Sequence, residues 1–442
     1  MKATKLHLIN FRSARDLTID LEPRLNLLVG VNGAGKSTIL DSLAILFSWA
    51  AARLRSSNAS GRRILDTDIN NEKTSSWLEI KCQVESSEHP EISWRLAQVR
   101  KGRNPDYDPK DPLLGMTSLK DLNDWANSAR DRIGQCNAQV NVPLFVYYPV
   151  NRSVFDIPLR IRKAHAFNLL DAYESAFTVG ANFRDFFEWY RNREDFENER
   201  YRESRKPTLF RDGTDQFTED SQLRAVRQAI AAFLPEFSEI SVKRNPLRME
   251  VTKNGNVYRV DQMSDGEKCL FAMVGDLARR LAIANPERDD PLEGEGIVLI
   301  DEIDLHLHPE WQRMIVPKLT GTFANCQFIV STHSPQVFGE VDAQCIHRLT
   351  VDPLHGLVST TPQQALGLDS SEILEEQMES KRRNQGVAEK LSKIFALIDS
   401  EKFLEARKRI EELKSQLRGS IPELVRAESL ITMLEPSEGK QD

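Results

Sequence analysis

Cysteine is scarce in this chain and long apolar runs are missing. Cys82, Cys136, Cys269, Cys326 and Cys345 are scattered through 442 residues with no paired spacing. That pattern excludes a disulfide framework and the paired-cysteine zinc sites. It predicts inert core thiols in a reducing, cytoplasmic setting. No segment approaches the roughly 18 consecutive apolar residues of a spanning helix, so no membrane crossing is expected. The opening MKATKLHLINF has Lys5 and His7 inside its apolar segment and no small-residue cleavage site, and so predicts a first strand rather than a signal peptide. No heptad pattern is sustained between residues 50 and 260, which argues against a long coiled coil. A net charge of −7 removes bulk attraction to nucleic acid and leaves only local basic faces. The run Arg160–Lys163 is one candidate, read as solvated surface.

What is present is a soluble globular composition, 40% hydrophobic and 28% charged, long enough for several domains. Alternating residues 5–11 and 17–21 predict short strands, and LNLLVG predicts a buried one. Residues 78–86 and 92–100 alternate like an antiparallel pair, and 142–149 form another buried strand. Residues 165–234 turn helical, with dense charge at 191–206 that predicts a helix projecting toward solvent or a partner. Asn254-Gly255 marks a tight hairpin. GIVLIDEID and CQFIVSTH are again buried-strand patterns. The tail carries three amphipathic segments, 387–399, 401–417 and 422–434.

The most informative stretch is GVNGAGKS, Gly30 to Ser37, between a predicted strand and a predicted helix. This is G-x-x-x-x-G-K-[ST] in the context that supports it. Its glycines let backbone N–H groups turn inward around phosphate oxygens; Lys36 reaches the β and γ phosphates, and Ser37 offers a hydroxyl to Mg²⁺. Asn32, Gly33, Ala34, Gly35, Lys36, Ser37 and Thr38 are therefore candidate nucleotide contacts. IVLIDEID delivers Asp301 and Glu302 from the carboxyl end of a wholly apolar strand, where ligands bind in α/β sheets. Asp301 is the candidate Mg²⁺ partner, with Ser37, and Glu302 the candidate general base for an attacking water. His333 ends a strand of the same type and is a candidate hydrogen-bond donor to the γ-phosphate. Ser264 and Glu267, in MSDGEK, have capping-box spacing.

In order, GVNGAGKS, MSDGEK, IVLIDEID and STHS resemble the Walker A, signature, Walker B and switch-histidine motifs of ABC-superfamily ATPase heads. The opening LHLINFRS is similar to the SMC/RecF, non-transporter branch, whose N-terminal strand makes Arg12 a candidate nucleotide contact. The resemblance assigns Ser264, Gly266 and Glu267 to the signature loop, which in the family reads Ser-Gly-Gly-Gln; Asp265 and Glu267 depart from it. Asp304 falls in the family's dimer-contacting loop. Asn151 and Arg152 stand where a glutamine loop would be. The long separation of Lys36 from Ser264 excludes a compact transporter domain and implies an inserted helical lid. His306 and His308 could chelate as H-x-H, but no carboxylate or cysteine set joins them in sequence.

A finer resemblance covers most of the chain. DEIDLHLHPEWQ, FRDFFEWYRNREDFENE, GLDSSEIL and the closing helices are similar to PtuA, the ATPase subunit of Septu-type and retron-associated antiphage systems. The resemblance implies an α/β fold, an ABC-type P-loop head with a mixed sheet and helices on both faces, an inserted helical lid and a helical tail. The expected domains are 1–150, 151–236, 237–364 and 365–442. It implies ATP and Mg²⁺ as cofactors, ATP hydrolysis, a homo-oligomer with at least a head-to-head dimer, and a separately encoded HNH nuclease subunit. Nucleic acid, whether phage or host DNA, tRNA or retron RNA–DNA, would be met through the assembly, and no membrane is involved. No H-N-H arrangement occurs in this chain, so cutting would belong to the other subunit. The alternative is a RecF/SMC-like repair clamp binding duplex DNA directly. A third is a scaffold that uses ATP as glue.

Overall fold

The computed structural model describes residues 1–85, 90–106, 116–136, 139–150, 167–178, 183–204, 219–373 and 385–435. Asn151, Arg152 and the basic run 160–163 lie outside them. The chain divides into two compact units, Met1–Ile373 and Leu374–Asp442.

The first unit opens with β1 (Lys2–Phe11), β2 (Ala14–Asp20) and β3 (Leu25–Val29), then α1 (Lys36–Arg55). The antiparallel pair β4 (Ser75–Gln83) and β5 (Glu91–Val99) follows, then α2 (Lys120–Gln135) and β6 (Leu144–Tyr148). Next come α3 (Phe183–Ser204), α4 (Ser221–Phe233), and the meander β7 (Phe237–Arg244), β8 (Leu247–Lys253) and β9 (Asn256–Arg259). After these come α5 (Asp265–Ala284), β10 (Gly296–Ile300), α6 (Pro309–Thr322), β11 (Cys326–Ser331) and the short α7 (Pro335–Phe338). The unit closes with β12 (Ile346–Asp352), β13 (Gly356–Thr360) and a single turn, α8 (Ser370–Glu372).

A mixed ten-stranded sheet runs β5-β4-β1-β2-β13-β12-β3-β11-β10-β6. Its β12, β3, β11, β10 and β6 half is parallel, and the other half is antiparallel. Every residue of β3, β6, β10 and β11 is buried, as expected for parallel strands covered on both faces. The carboxyl ends line up: Ile300 pairs with Val330 and Tyr148, and Ser331 pairs with Leu28. Because β11 lies between β3 and β10, the segment after β11 emerges between the P-loop and Asp301. α1 packs across this sheet. It is the one described helix long and apolar enough to cross a membrane, and most of it is buried inside the unit.

Asn254 and Gly255 both take positive φ, 49° and 78°, which closes the β8–β9 hairpin with Lys253 opposite Asn256. α2 has no counterpart in the sequence reading above. Its signal is present in Leu122, Trp125, Ala126 and Ala129, spaced for one helical face. The charged half of α3 does not project as expected. Glu194 and Glu197 are buried and paired, Glu194 with Arg244 at 2.5 Å and Glu197 with Arg227 at 2.9 Å. Helical periodicity marks charged positions as outward, but β7 and α4 supply arginines that make burial of these two tolerable. Beyond Glu197 the helix is exposed from Asn198 to Glu203.

The second unit is α9 (Gln385–Asp399), α10 (Phe403–Leu417) and α11 (Pro422–Leu434). Leu391, Ile394, Ile398, Ala406, Ile410, Leu413, Leu424, Ala427 and Ile431 form its own core. The three apolar faces, spaced at three and four residues, meet one another.

Candidate functional site

The P-loop follows β3 directly. Gly30 has φ 152°, and a Cβ there would lie 2.6 Å from the Leu349 carbonyl; Gly35 has φ 100° and abuts Leu357. Neither position accepts a side chain, so the loop turns back on itself and feeds α1. That helix begins at Gly35 with no side-chain cap and no acid in its first turn. Its first N–H groups and its positive dipole end are left for an anion.

Lys36 is buried and donates to the carbonyls of Gly30 at 2.8 Å and Val31 at 3.2 Å. Burial lowers its pKa, partly offset by Asp301, Glu302 and Asp304. Ser37 Oγ donates to Asp301 Oδ2 at 3.0 Å. Asp301 is buried, and its Oδ1 accepts from Ser331 Oγ at 2.5 Å. Ser331 Oγ also accepts the Glu302 N–H at 2.8 Å, while Glu302 itself sits at φ 48°. Two hard oxygens, from Ser37 and Asp301, stand beside an uncapped helix end, and this donor set suits Mg²⁺.

His333 is half-buried at the end of β11. Burial and then the charge of Lys36 lower its pKa against the pull of three carboxylates, which favours the neutral imidazole. Thr332 Oγ1 donates to Asp304 Oδ1 at 2.6 Å, fixing the loop after Glu302 against the switch segment. Gln312 joins the same two segments: its Oε1 accepts from Ser334 at 2.7 Å and its Nε2 donates to the Leu307 carbonyl at 2.9 Å. The fold thus gathers Lys36, Ser37, Asp301, Glu302, Asp304 and His333 at one crevice. Ser331 and Gln312 are the members that sequence reasoning missed. Polar residues flanking the apolar strand and the H-x-H run were their only local signal.

MSDGEK is not bonded to the P-loop of its own chain. Among the described residues no hydrogen bond or ion pair joins 264–267 to 30–38. Ser264 caps α5, accepting from the Glu267 N–H at 3.4 Å, and its own N–H donates to Glu267 Oε2 at 2.8 Å. Ser264 Oγ also donates to that carboxylate, and Lys253 pairs with it at 2.5 Å. Burial opposes ionisation of Glu267, but the Lys253 and Ser264 hydrogen bonds hold its pKa below the usual range. A Cβ on Gly266 would lie 2.6 Å from the His306 carbonyl, so this helix start rests on the loop that follows Glu302.

Arg12 pairs with Asp41 at 2.8 Å and Asp68 at 2.9 Å, beside the P-loop helix. Burial works against its charge, but the two carboxylates raise its pKa. His308 caps α6 through Nδ1, and no group of three or more metal-ligating side chains exists among the described residues.

A P-loop and a strand-end acidic pair at the carboxyl edge of a mixed, largely buried sheet define a P-loop ATPase head. The AAA domain family model matches residues 5–237, and a second AAA-domain model matches 145–339. The chain is 33% identical over 360 residues to the Retron Vc95 probable ATPase of Vibrio cholerae serotype O1 biovar El Tor, covering 74% of this chain and 68% of that protein. It is 31% identical over 436 residues to the Retron Ec83 probable ATPase of Escherichia coli, covering 87% and 77%. Septu protein PtuA of Bacillus mycoides (strain KBAB4) is 37% identical over 112 residues, 25% of this chain and 15% of that one. The chain belongs to the retron ATPase family, and part of it is similar to PtuA.

Proposed function

We propose that this ATPase is a nucleotide-driven switch whose paired heads regulate a separately encoded HNH nuclease subunit in antiphage defence. The Ser37–Asp301 hydrogen bond, with Glu302 and His333 at the same crevice, is the observation that carries the ATPase chemistry. Lys36 exchanges its two loop carbonyls for β and γ phosphate oxygens. Asn32, Gly33, Ala34, Gly35 and Thr38 line the phosphate loop, and Arg12 approaches from beside α1. When bound, Mg²⁺, held through Ser37 and Asp301, supplies positive charge at the phosphate oxygens. Glu302 accepts a proton from the attacking water, and His333 donates a hydrogen bond to the γ-phosphate.

Ser264, Gly266 and Glu267 complete the site of a second copy, with the N-terminus of α5 facing that copy's γ-phosphate. Among the described residues no hydrogen bond or ion pair ties this helix start to its own P-loop, which supports that arrangement. Loss of the γ-phosphate then releases the pair. The likeness to retron ATPases and to Septu protein PtuA supports the defence role, and the independent core of the second unit supports a partner-binding role for residues 385–442. Nucleic acid is met through the assembly.

The test is co-purification with the HNH subunit, alongside ATP turnover. Deleting residues 385–442 should abolish nuclease binding and leave turnover intact; retained binding would overturn the partner role. Glu302→Gln should lower turnover by about 10²–10⁴-fold. Equal turnover in wild type and variant would instead favour a scaffold.

A further inference from the structure

Ser331 is fully buried at the last position of β11, and its contacts tie down three successive residues of the acidic loop. Its hydroxyl donates to Asp301 Oδ1 at 2.5 Å and accepts the Glu302 N–H at 2.8 Å. Its backbone carbonyl accepts the Ile303 N–H at 2.9 Å. A hydroxyl has one proton and two lone pairs, so these bonds have a fixed direction: from the Glu302 amide to Ser331, and from Ser331 to the carboxylate. With Oδ1 engaged in this way, Oδ2 is the oxygen that Asp301 turns toward Ser37, at 3.0 Å. On the other side, the bound amide belongs to Glu302 at φ 48°, a left-handed conformation uncommon for a residue with a side chain.

We propose that Ser331 is a positioning residue for ATP hydrolysis, a single hydroxyl that orients both the cation-side carboxylate of Asp301 and the backbone of Glu302. The inference rests on the ATPase assignment of Asp301 and Glu302 above. A polar residue at this point is otherwise unexpected, since β11 is buried throughout and a strand core prefers apolar side chains. The geometry also accounts for the order of strands. Only because β11 lies between β3 and β10 can a residue at its end reach the carboxylate that faces the P-loop.

The experiment uses the full chain and three variants, Ser331→Ala, Ser331→Cys and Ser331→Thr. Mn²⁺ binding is measured by the electron paramagnetic resonance of free Mn²⁺, with a non-hydrolysable ATP analogue present. ATP turnover is measured in parallel. Hydrogen bonds to a charged group set the scale of the expected loss. Ser331→Ala should weaken Mn²⁺ binding by about tenfold and lower kcat by at least about tenfold, with KM for ATP changed by less than about twofold. Ser331→Cys, which keeps the volume but bonds poorly, should reproduce the defect, and Ser331→Thr should restore most of both quantities. Wild-type Mn²⁺ binding in the alanine and cysteine variants would overturn the proposal. So would equal defects in the threonine and alanine variants, because volume would then be the cause. The Glu302→Gln control separates the two ideas. Unchanged turnover there removes the base assignment, while the Mn²⁺ measurement, which needs no hydrolysis, still decides Ser331.

Discussion

Ser37 Oγ lies 3.0 Å from Asp301 Oδ2, a hydrogen bond between residues 264 positions apart. It joins the first turn of α1 to the end of β10 and marks where phosphate chemistry and acidic chemistry meet. Two groups that share one interaction should not contribute independently. Ser37→Ala and Asp301→Asn are each expected to weaken Mg²⁺-dependent ATP binding. The double variant should lose less than the sum, by about 1–2 kcal/mol. A nucleotide-binding titration of the four proteins checks this, and strict additivity would show that the two side chains act apart.

Lys36 is held ready by carbonyl acceptors of its own loop. Lys36→Met keeps the apolar stem that packs in the loop and removes the charge. ATP affinity should fall between about tenfold and 100-fold, the scale of a charge-assisted hydrogen bond. The melting temperature without nucleotide should stay close to wild type. A loss of folded protein instead would assign Lys36 a structural role.

Ser264 is exposed, whereas Gly266 has no room for a side chain. Ser264→Arg should cost about 1 kcal/mol of stability through the lost cap and leave ATP binding by the same chain unchanged. Sedimentation with ATP and the Glu302→Gln background should show pairing lost. If pairing persists at wild-type strength, α5 does not face a second copy's nucleotide.

His347 gives the fold a defined acid sensitivity. Burial pushes its pKa from 6.5 down to about 4, with a smaller opposing pull from Asp20, and Nε2 lies 3.0 Å from Asn26 Oδ1. The folded state therefore prefers the neutral ring. This contribution is fully present above pH 6.5 and is lost as pH falls from 6.5 through 4, on the order of 3 kcal/mol at most. Melting temperatures across that window should fall more steeply for wild type than for His347→Gln. Parallel curves would show that other groups carry the acid response.

Much of the architecture was legible because it is locally encoded. The glycines and lysine of the P-loop, the apolar strands before Asp301 and His333, and the Asn254-Gly255 turn each depend on residues only a few positions apart. The same holds for the Ser264–Glu267 cap and the three tail helices. Their chemistry follows from backbone freedom, strand burial and helical spacing, all of which a linear sequence displays.

What tertiary structure alone decided are the partners brought in from distant segments. Nothing near Glu194 or Glu197 announces that Arg244 and Arg227 will make their burial tolerable. Nothing near Arg12 announces Asp41 and Asp68, or near Gly266 the His306 carbonyl. Above all, the placing of β11 between β3 and β10 puts Ser331 against Asp301. Strand order is settled by which faces bury together, and periodicity along one segment carries no information about its neighbours. The sequence by itself determined which groups could perform phosphate chemistry; the packing of the sheet decided which of their oxygens face one another.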